Sequence, residues 1–187
     1  MSSFWLEPKD LASIVDHAEH AYPQECCGLL VGKIQGDRIM AIEVYPMTNQ
    51  WDQGDPALAM LFEAEAMTGL PEKPAKEPAK EPAKELAKEP NPRPTAERRY
   101  TIDPRAMLDV QKLARDRGLV IVGIYHSHPE HLAIPSEYDR RFAWAEYVYP
   151  IVSVRRGYAS DVRIWKLDDH QQFYELELHL LSNVNSG

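Results

Sequence analysis

The run Leu119-Val120-Ile121-Val122-Gly123-Ile124-Tyr125 constrains this 187-residue chain more than any other feature. It is an unbroken apolar stretch and predicts a central strand buried on both faces. Such a strand needs neighbours in a sheet and covering layers, and the flanking segments offer both. Helical and strand-like patterns alternate without a regular βα repeat, which predicts an α/β (α+β) architecture with a mixed central sheet flanked by helices. The length suits one domain, and 44% hydrophobic with 27% charged residues suits a globular core.

Before the run, Asp10 can cap a helix to about Tyr22 with Leu11, Ile14, Val15 and Ala18 on its apolar face. His17 and His20 share that helix and are expected to be solvated. Strands Cys27–Lys33 and Arg38 to about Tyr45 flank a turn at Gly36-Asp37 and read as a hairpin. Pro56 is placed to start a short helix through Ala64, and Tyr100 and Ile102 suggest a strand end. Asp103 and Pro104 then open a helix that stops at Gly118. Beyond the run, Ser136 caps a helix from Glu137 to about Tyr147, with Trp144 and Tyr147 expected in the core rather than as a substrate platform. Strands at Ile151–Val154, Val162–Leu167 and Phe173–Leu178 close the domain.

Residues 71–94 read PEKPAKEPAKEPAKELAKEPNPRP and hold seven of the fifteen prolines. Their apolar content is almost all alanine, too little to offset the entropy of ordering, and the prolines break any long helix. The segment is expected to be a semi-extended insertion, ending by about residue 97, in a single domain spanning 1–187.

The net charge of −8, from 21 Lys+Arg against 29 Asp+Glu, argues against nucleic acid or an anionic membrane as partner. No stretch approaches the roughly 18 apolar residues of a spanning helix, and no secretory start precedes Leu11. The only cysteines, Cys26 and Cys27, are adjacent and read as two buried thiols, so a cytoplasmic setting is expected.

The chemistry sits just past the apolar run, in Tyr125-His126-Ser127-His128-Pro129. On a strand, residues two apart share a face, so His126 and His128 can aim both imidazoles at one point while Ser127 faces away. Asp139, one turn after the Ser136 cap, can swing its carboxylate back towards them. Two His and one Asp make the three-ligand set of a catalytic zinc and leave the fourth position for water. Glu25, just before the strand at Cys27, is the candidate base for that water. Ser136 has two readings, an oxyanion donor or only a helix cap. His131 in the loop is expected to be solvated. Neither the His-Glu-x-x-His pattern nor that of the zinc deaminases occurs.

His126-Ser127-His128-Pro129, Ser136 and Asp139, with the upstream Glu25, resemble the JAMM motif of the MPN+ (Mov34/MPN/PAD-1) zinc metallopeptidases. The flanking Pro23-Gln24-Glu25-Cys26-Cys27-Gly28 and Leu29-Leu30-Val31-Gly32 also look like that family's glutamate segment, and the resemblance runs from about Leu11 to Leu167. It implies the MPN, cytidine-deaminase-like fold, one zinc ion held by His126, His128 and Asp139, Glu25 as general base and Ser136 as oxyanion stabiliser. The compact chain looks like the stand-alone prokaryotic members. The implied substrate is an amide or isopeptide bond at the Gly-Gly tail of a ubiquitin-like or sulfur-carrier protein, and a homodimer is left open. Two alternatives remain at this stage: a broader deconjugase or small-peptide hydrolase, and a non-catalytic module whose metal braces a docking surface.

Overall fold

The computed structural model of the chain describes residues 2–51 and 99–181. The helix expected after Pro56 and the 71–94 segment lie outside the described residues. Eight strands form a single mixed sheet: β1 (Ser3–Leu6), β2 (Cys27–Gln35), β3 (Arg38–Met47), β4 (Val120–Pro129), β5 (Val148–Arg155), β6 (Tyr158–Leu167), β7 (Phe173–Leu176) and β8 (Leu178–Leu180). Their order is β7-β6-β5-β4-β2-β3-β1-β8. Pairs β1–β3, β1–β8 and β4–β5 are parallel and the rest antiparallel. A lone residue, Glu177, separates β7 at one edge from β8 at the other, so the sheet must curl until its edges lie close together.

The helices α1 (Pro8–Ala21) and α2 (Pro104–Asp116) cover opposite faces of the central strands, and the short α3 (Glu137–Phe142) follows the loop after β4. Ile14 and Ala18 of α1 pack with Leu30, Val122, Tyr125 and Val152, whereas Val110 and Ala114 of α2 pack with Leu29, Val31 and Ile121. The apolar run therefore feeds two core layers, although its second residue, Val120, is half exposed where the strand begins.

One irregularity positions the site. Leu30 pairs with Gly123 but Val31 pairs with Ile121, which leaves Val122 as an extra residue in β4. That bulge breaks the side-chain alternation, so Val122 and Tyr125 both join the α1 layer. His126 and His128 consequently emerge on the opposite face, beyond the α2 layer.

Several expected boundaries move. Helix α1 begins at Pro8 with Glu7 as its N-cap, and Asp10 lies within its first turn, because Pro8 carries a helix-ready φ and lacks the N–H that would need capping. The short β1 was not anticipated. No strand forms at Tyr100 or Ile102. Helix α3 ends at Phe142, five residues early, since the Tyr149 hydroxyl binds both the amide (2.6 Å) and the carbonyl (3.1 Å) of Trp144 and draws that backbone out of helical pairing. Trp144 is 62% exposed and so does not belong to the core. The final run splits into β7 and β8. Asp103 caps α2 as expected, its carboxylate accepting from the Arg105 amide at 2.8 Å.

Candidate active site

Strand β4 carries His126 and His128 to the end of the sheet, both buried. Their Nε2 atoms lie 3.0 Å apart. Asp139, in the first turn of α3, places Oδ1 at 3.4 Å from His126 Nε2 and Oδ2 at 3.4 Å from His128 Nε2. One donor atom from each of the three residues falls within 4.8 Å of the others. A tetrahedral ion with bonds of about 2 Å has ligands about 3.3 Å apart, so the spacing and the N,N,O donor set suit a metal ion.

Outer contacts fix this geometry. His128 Nδ1 lies 2.9 Å from the Leu132 carbonyl oxygen, which can only accept, so Nδ1 carries the proton and neutral His128 keeps its Nε2 lone pair for the site. Tyr100 stacks on His126 at 4.7 Å between ring centroids. The His126 Nδ1 atom is buried without a hydrogen-bond partner among the described residues, while its Nε2 faces His128 and Asp139. Asp139 is held by a capping box, in which the Ser136 amide donates to Asp139 Oδ2 at 2.6 Å and the Asp139 amide to Ser136 Oγ at 3.1 Å. The Ser136 side chain itself is therefore the cap, through an oxygen lone pair.

Glu25 enters from the segment that leads into the neighbouring strand β2. Cys27 pairs with His126 across β2 and β4. The Cys26 amide donates to Ser127 Oγ at 2.8 Å, and the Ser127 amide donates to the Cys26 carbonyl at 3.2 Å. Ser127 thus faces away from the histidines, as its strand position requires, and ties the base of Glu25 to β4. Burial pushes the Glu25 carboxyl up to about 8, with His128 and Arg99 pulling down and Asp139 pushing up. Burial would likewise raise Asp139, yet the two imidazoles hold it far below the usual carboxylate range. Burial lowers His126. For His128 the adjacent Asp139 outweighs burial and raises it. The histidines thus differ although they stand two residues apart. Cys26, pushed by burial up to about 12, is an inert thiol.

Sequence reasoning missed Asn49. Its side-chain amide donates to the Glu25 carbonyl at 3.0 Å and the Arg99 carbonyl at 2.9 Å, while its oxygen accepts from Trp51 at 3.0 Å and Thr101 at 3.2 Å. All four hydrogen-bonding positions of the amide are used. An asparagine after a strand reads locally as a turn residue, and nothing in its neighbourhood signals partners fifty residues away. Arg99 also lies over the Tyr138 ring at 4.2 Å. His17 departs from its expected exposure: it is half-buried, with Nδ1 at 2.8 Å from the Tyr125 hydroxyl. His131 is exposed and outside the metal-ligating group.

Residues 8–168 match the family of prokaryotic homologs of the JAB domain. The chain belongs to this family. Two curated relatives each match a part of the chain. One is a desampylase of Haloferax volcanii, 42% identical over 55 residues, covering 29% of this chain and 40% of that protein. The other is a probable TtuB-protein conjugate cleaving protease of Thermus thermophilus, 42% identical over 50 residues, covering 27% of this chain and 34% of that protein. The aligned stretches thus span less than half the length of these relatives. The JAB fold is shared with a solution structure from Desulfitobacterium hafniense, with TM-score 0.65, 23% identity, 97% of this chain and 95% of that chain covered. A solution structure from Salinibacter ruber gives TM-score 0.57, 24% identity, and coverage of 100% and 95%. Among the described residues of the JAB domain, no helix is long and apolar enough to cross a membrane.

Proposed function

We propose that this protein is a zinc metallopeptidase that hydrolyses an amide or isopeptide bond at the C-terminal Gly-Gly tail of a ubiquitin-like or sulfur-carrier protein. The observation that carries this reading is the convergence of His126, His128 and Asp139, with a buried carboxyl, Glu25, that feels the charges of His128 and Asp139. Four closing ligands would suit a structural ion, whereas three protein ligands and an adjacent base suit hydrolysis. The relatives' names, a desampylase and a conjugate-cleaving protease, support a protein-conjugate substrate.

His126 and His128 would hold zinc through Nε2 and Asp139 through a carboxylate oxygen. When bound, zinc would supply an acidified water and a Lewis acid for the scissile carbonyl. Glu25 takes a proton at its carboxylate and returns it to the departing amine. A bound cation would make that carboxyl more acidic than in its metal-free position and so favour the ionised form the step requires. Ser136 Oγ spends a lone pair on the Asp139 amide, and its O–H proton remains for a developing oxyanion. The helix-cap and oxyanion readings are thus compatible. One domain interrupted by the 71–94 insertion, and a cytoplasmic setting consistent with two buried free thiols, complete the reading.

The test is cleavage of fusions in which a sulfur carrier's Gly-Gly tail is joined to a short peptide or to lysine, followed by mass spectrometry. Zinc-loaded protein is expected to release the carrier after its second glycine. Glu25→Gln is expected to lose about 10²- to 10⁴-fold in rate with zinc retained. A panel left uncut by stoichiometrically loaded protein, or an equally active Glu25→Gln, rejects the proposal.

A further inference from the structure

We propose that Ser153 and Trp165 are positioning residues for the metal site, acting through the loop carbonyl that selects the tautomer of His128. The proposal rests on the reading of His128 as a metal ligand. Three consecutive carbonyls in the loop after β4 each accept from a side chain on a different strand. Ser153 Oγ of β5 donates to His131 O at 2.6 Å, His128 Nδ1 of β4 to Leu132 O at 2.9 Å, and Trp165 Nε1 of β6 to Ala133 O at 2.8 Å. The carbonyl that holds the His128 proton is thus bracketed on both sides by fixed neighbours.

Packing contributes little to this restraint. Ala133 is buried, but Leu132 and Ile134 are 55% and 45% exposed, so the loop's larger apolar side chains do not anchor it. Polar contacts take that role. At the loop's start the Glu130 amide donates to the Val154 carbonyl at 2.7 Å, and the Glu130 carboxylate accepts from the Tyr22 hydroxyl at 2.9 Å and the Arg156 amide at 2.7 Å. Ser160 Oγ lies 3.0 Å from Ser153 Oγ and orients that hydroxyl towards the loop.

The consequence for the site follows from imidazole chemistry. A neutral imidazole has one proton for two nitrogens, and the nitrogen that keeps it cannot bind metal. Leu132 O holds that proton on Nδ1. If His131 and Ala133 are released, Leu132 O drifts from Nδ1, the Nε2–H tautomer gains population, and the proton must return from Nε2 to Nδ1 before Nε2 can bind metal. Loss of an outer partner of this kind costs about tenfold or more in metal affinity.

The experiment uses the full chain with Trp165→Phe, Ser153→Ala, the double variant, and Ser153→Thr, which retains the hydroxyl. Ring 15N shifts of metal-free protein, at a pH where the imidazoles are neutral, report the His128 tautomer, and competition with a chromophoric chelator reports zinc affinity. Wild type and Ser153→Thr are expected to hold the proton on Nδ1, with the double variant showing mixed tautomers and about tenfold weaker zinc binding. An unchanged tautomer and unchanged zinc affinity in a folded double variant overturn the proposal. If the double variant does not fold, Trp165→Phe decides by the same two readouts, since it keeps the ring and removes only the N–H donor. His128→Ala separates the two readings. Unchanged zinc affinity there overturns the ligand assignment, while the tautomer readout in metal-free protein still judges the clamp itself.

Discussion

Cys26 and Ser127 exchange two hydrogen bonds across the junction of β2 and β4: the Cys26 amide reaches Ser127 Oγ at 2.8 Å, and the Ser127 amide reaches the Cys26 carbonyl at 3.2 Å. Their neighbours are Glu25, in the segment that leads into β2, and His126 and His128 on β4. The pair therefore sets the register between the candidate base and the candidate ligands. Ser127→Ala leaves a buried amide without its acceptor and is expected to cost about 1–3 kcal/mol in urea unfolding. Zinc stoichiometry should persist because no ligand is touched. A cost within experimental error would mean that the hydroxyl contributes nothing to the junction.

Glu25 predicts a specific pH dependence in metal-free protein. Burial pushes its folded-state carboxyl up to about 8, from the ordinary 4.5 of an exposed glutamate. The folded state therefore binds the proton more tightly than the unfolded chain. The stabilisation is fully present below about pH 4.5 and is lost as pH rises towards 8. Relative to Glu25→Gln, wild type should lose stability across that window, by an amount on the order of a few kcal/mol. A difference that stays flat from pH 5 to 8 would show that Glu25 is not buried as described.

The contacts of Asn49 predict that residues 71–94 can be removed without loss of folding. The Asn49 amide ties Trp51 to Thr101, and Gln50 donates to the Thr101 carbonyl at 2.9 Å, so the described residues at 51 and 101 are already held together. Longer loops add little closure entropy. Deleting residues 71–94 is expected to leave the melting temperature and zinc binding close to wild type. Asn49→Ala should instead cost about 1–3 kcal/mol, because four hydrogen bonds lose a partner. Loss of folding in the deletion variant, or an indifferent Asn49→Ala, would contradict this account.

Gly32 lies where β2 meets β3 at a register shift. A Cβ there would sit 1.8 Å from the Met40 carbonyl oxygen and 3.0 Å from the Ala41 Cα. Backbone on a paired strand cannot yield cheaply, so Gly32→Ala is expected to cost about 3 kcal/mol or more. Thermal and urea unfolding would measure it, and a cost below about 1 kcal/mol would show that β3 can move aside.

The convergence of the candidate ligands was largely legible in the sequence because their placement is encoded locally. His126 and His128 share a face through strand geometry, and Asp139 follows Ser136 at capping-box spacing, so both relations hold within a few residues. The early end of α3 was not legible, because it depends on the Tyr149 hydroxyl returning from the following strand. The exposure of Trp144 follows from the same contact. His17 looked like a solvated helix residue until Tyr125, 108 positions away, met its ring.

The sequence by itself determined which strand must be central and which side chains can converge at its end. Those properties follow from side-chain hydrophobicity and from strand and helix periodicity, which act over short distances along the chain. Only the tertiary structure decided which face of the sheet receives the histidines, through the bulge at Val122. It also decided how Glu25 is moored, through Ser127 and Asn49, and why His128 presents Nε2, through the Leu132 carbonyl. These outcomes depend on hydrogen bonds between distant residues, and no local pattern specifies a partner until the sheet has curled and brought it within reach.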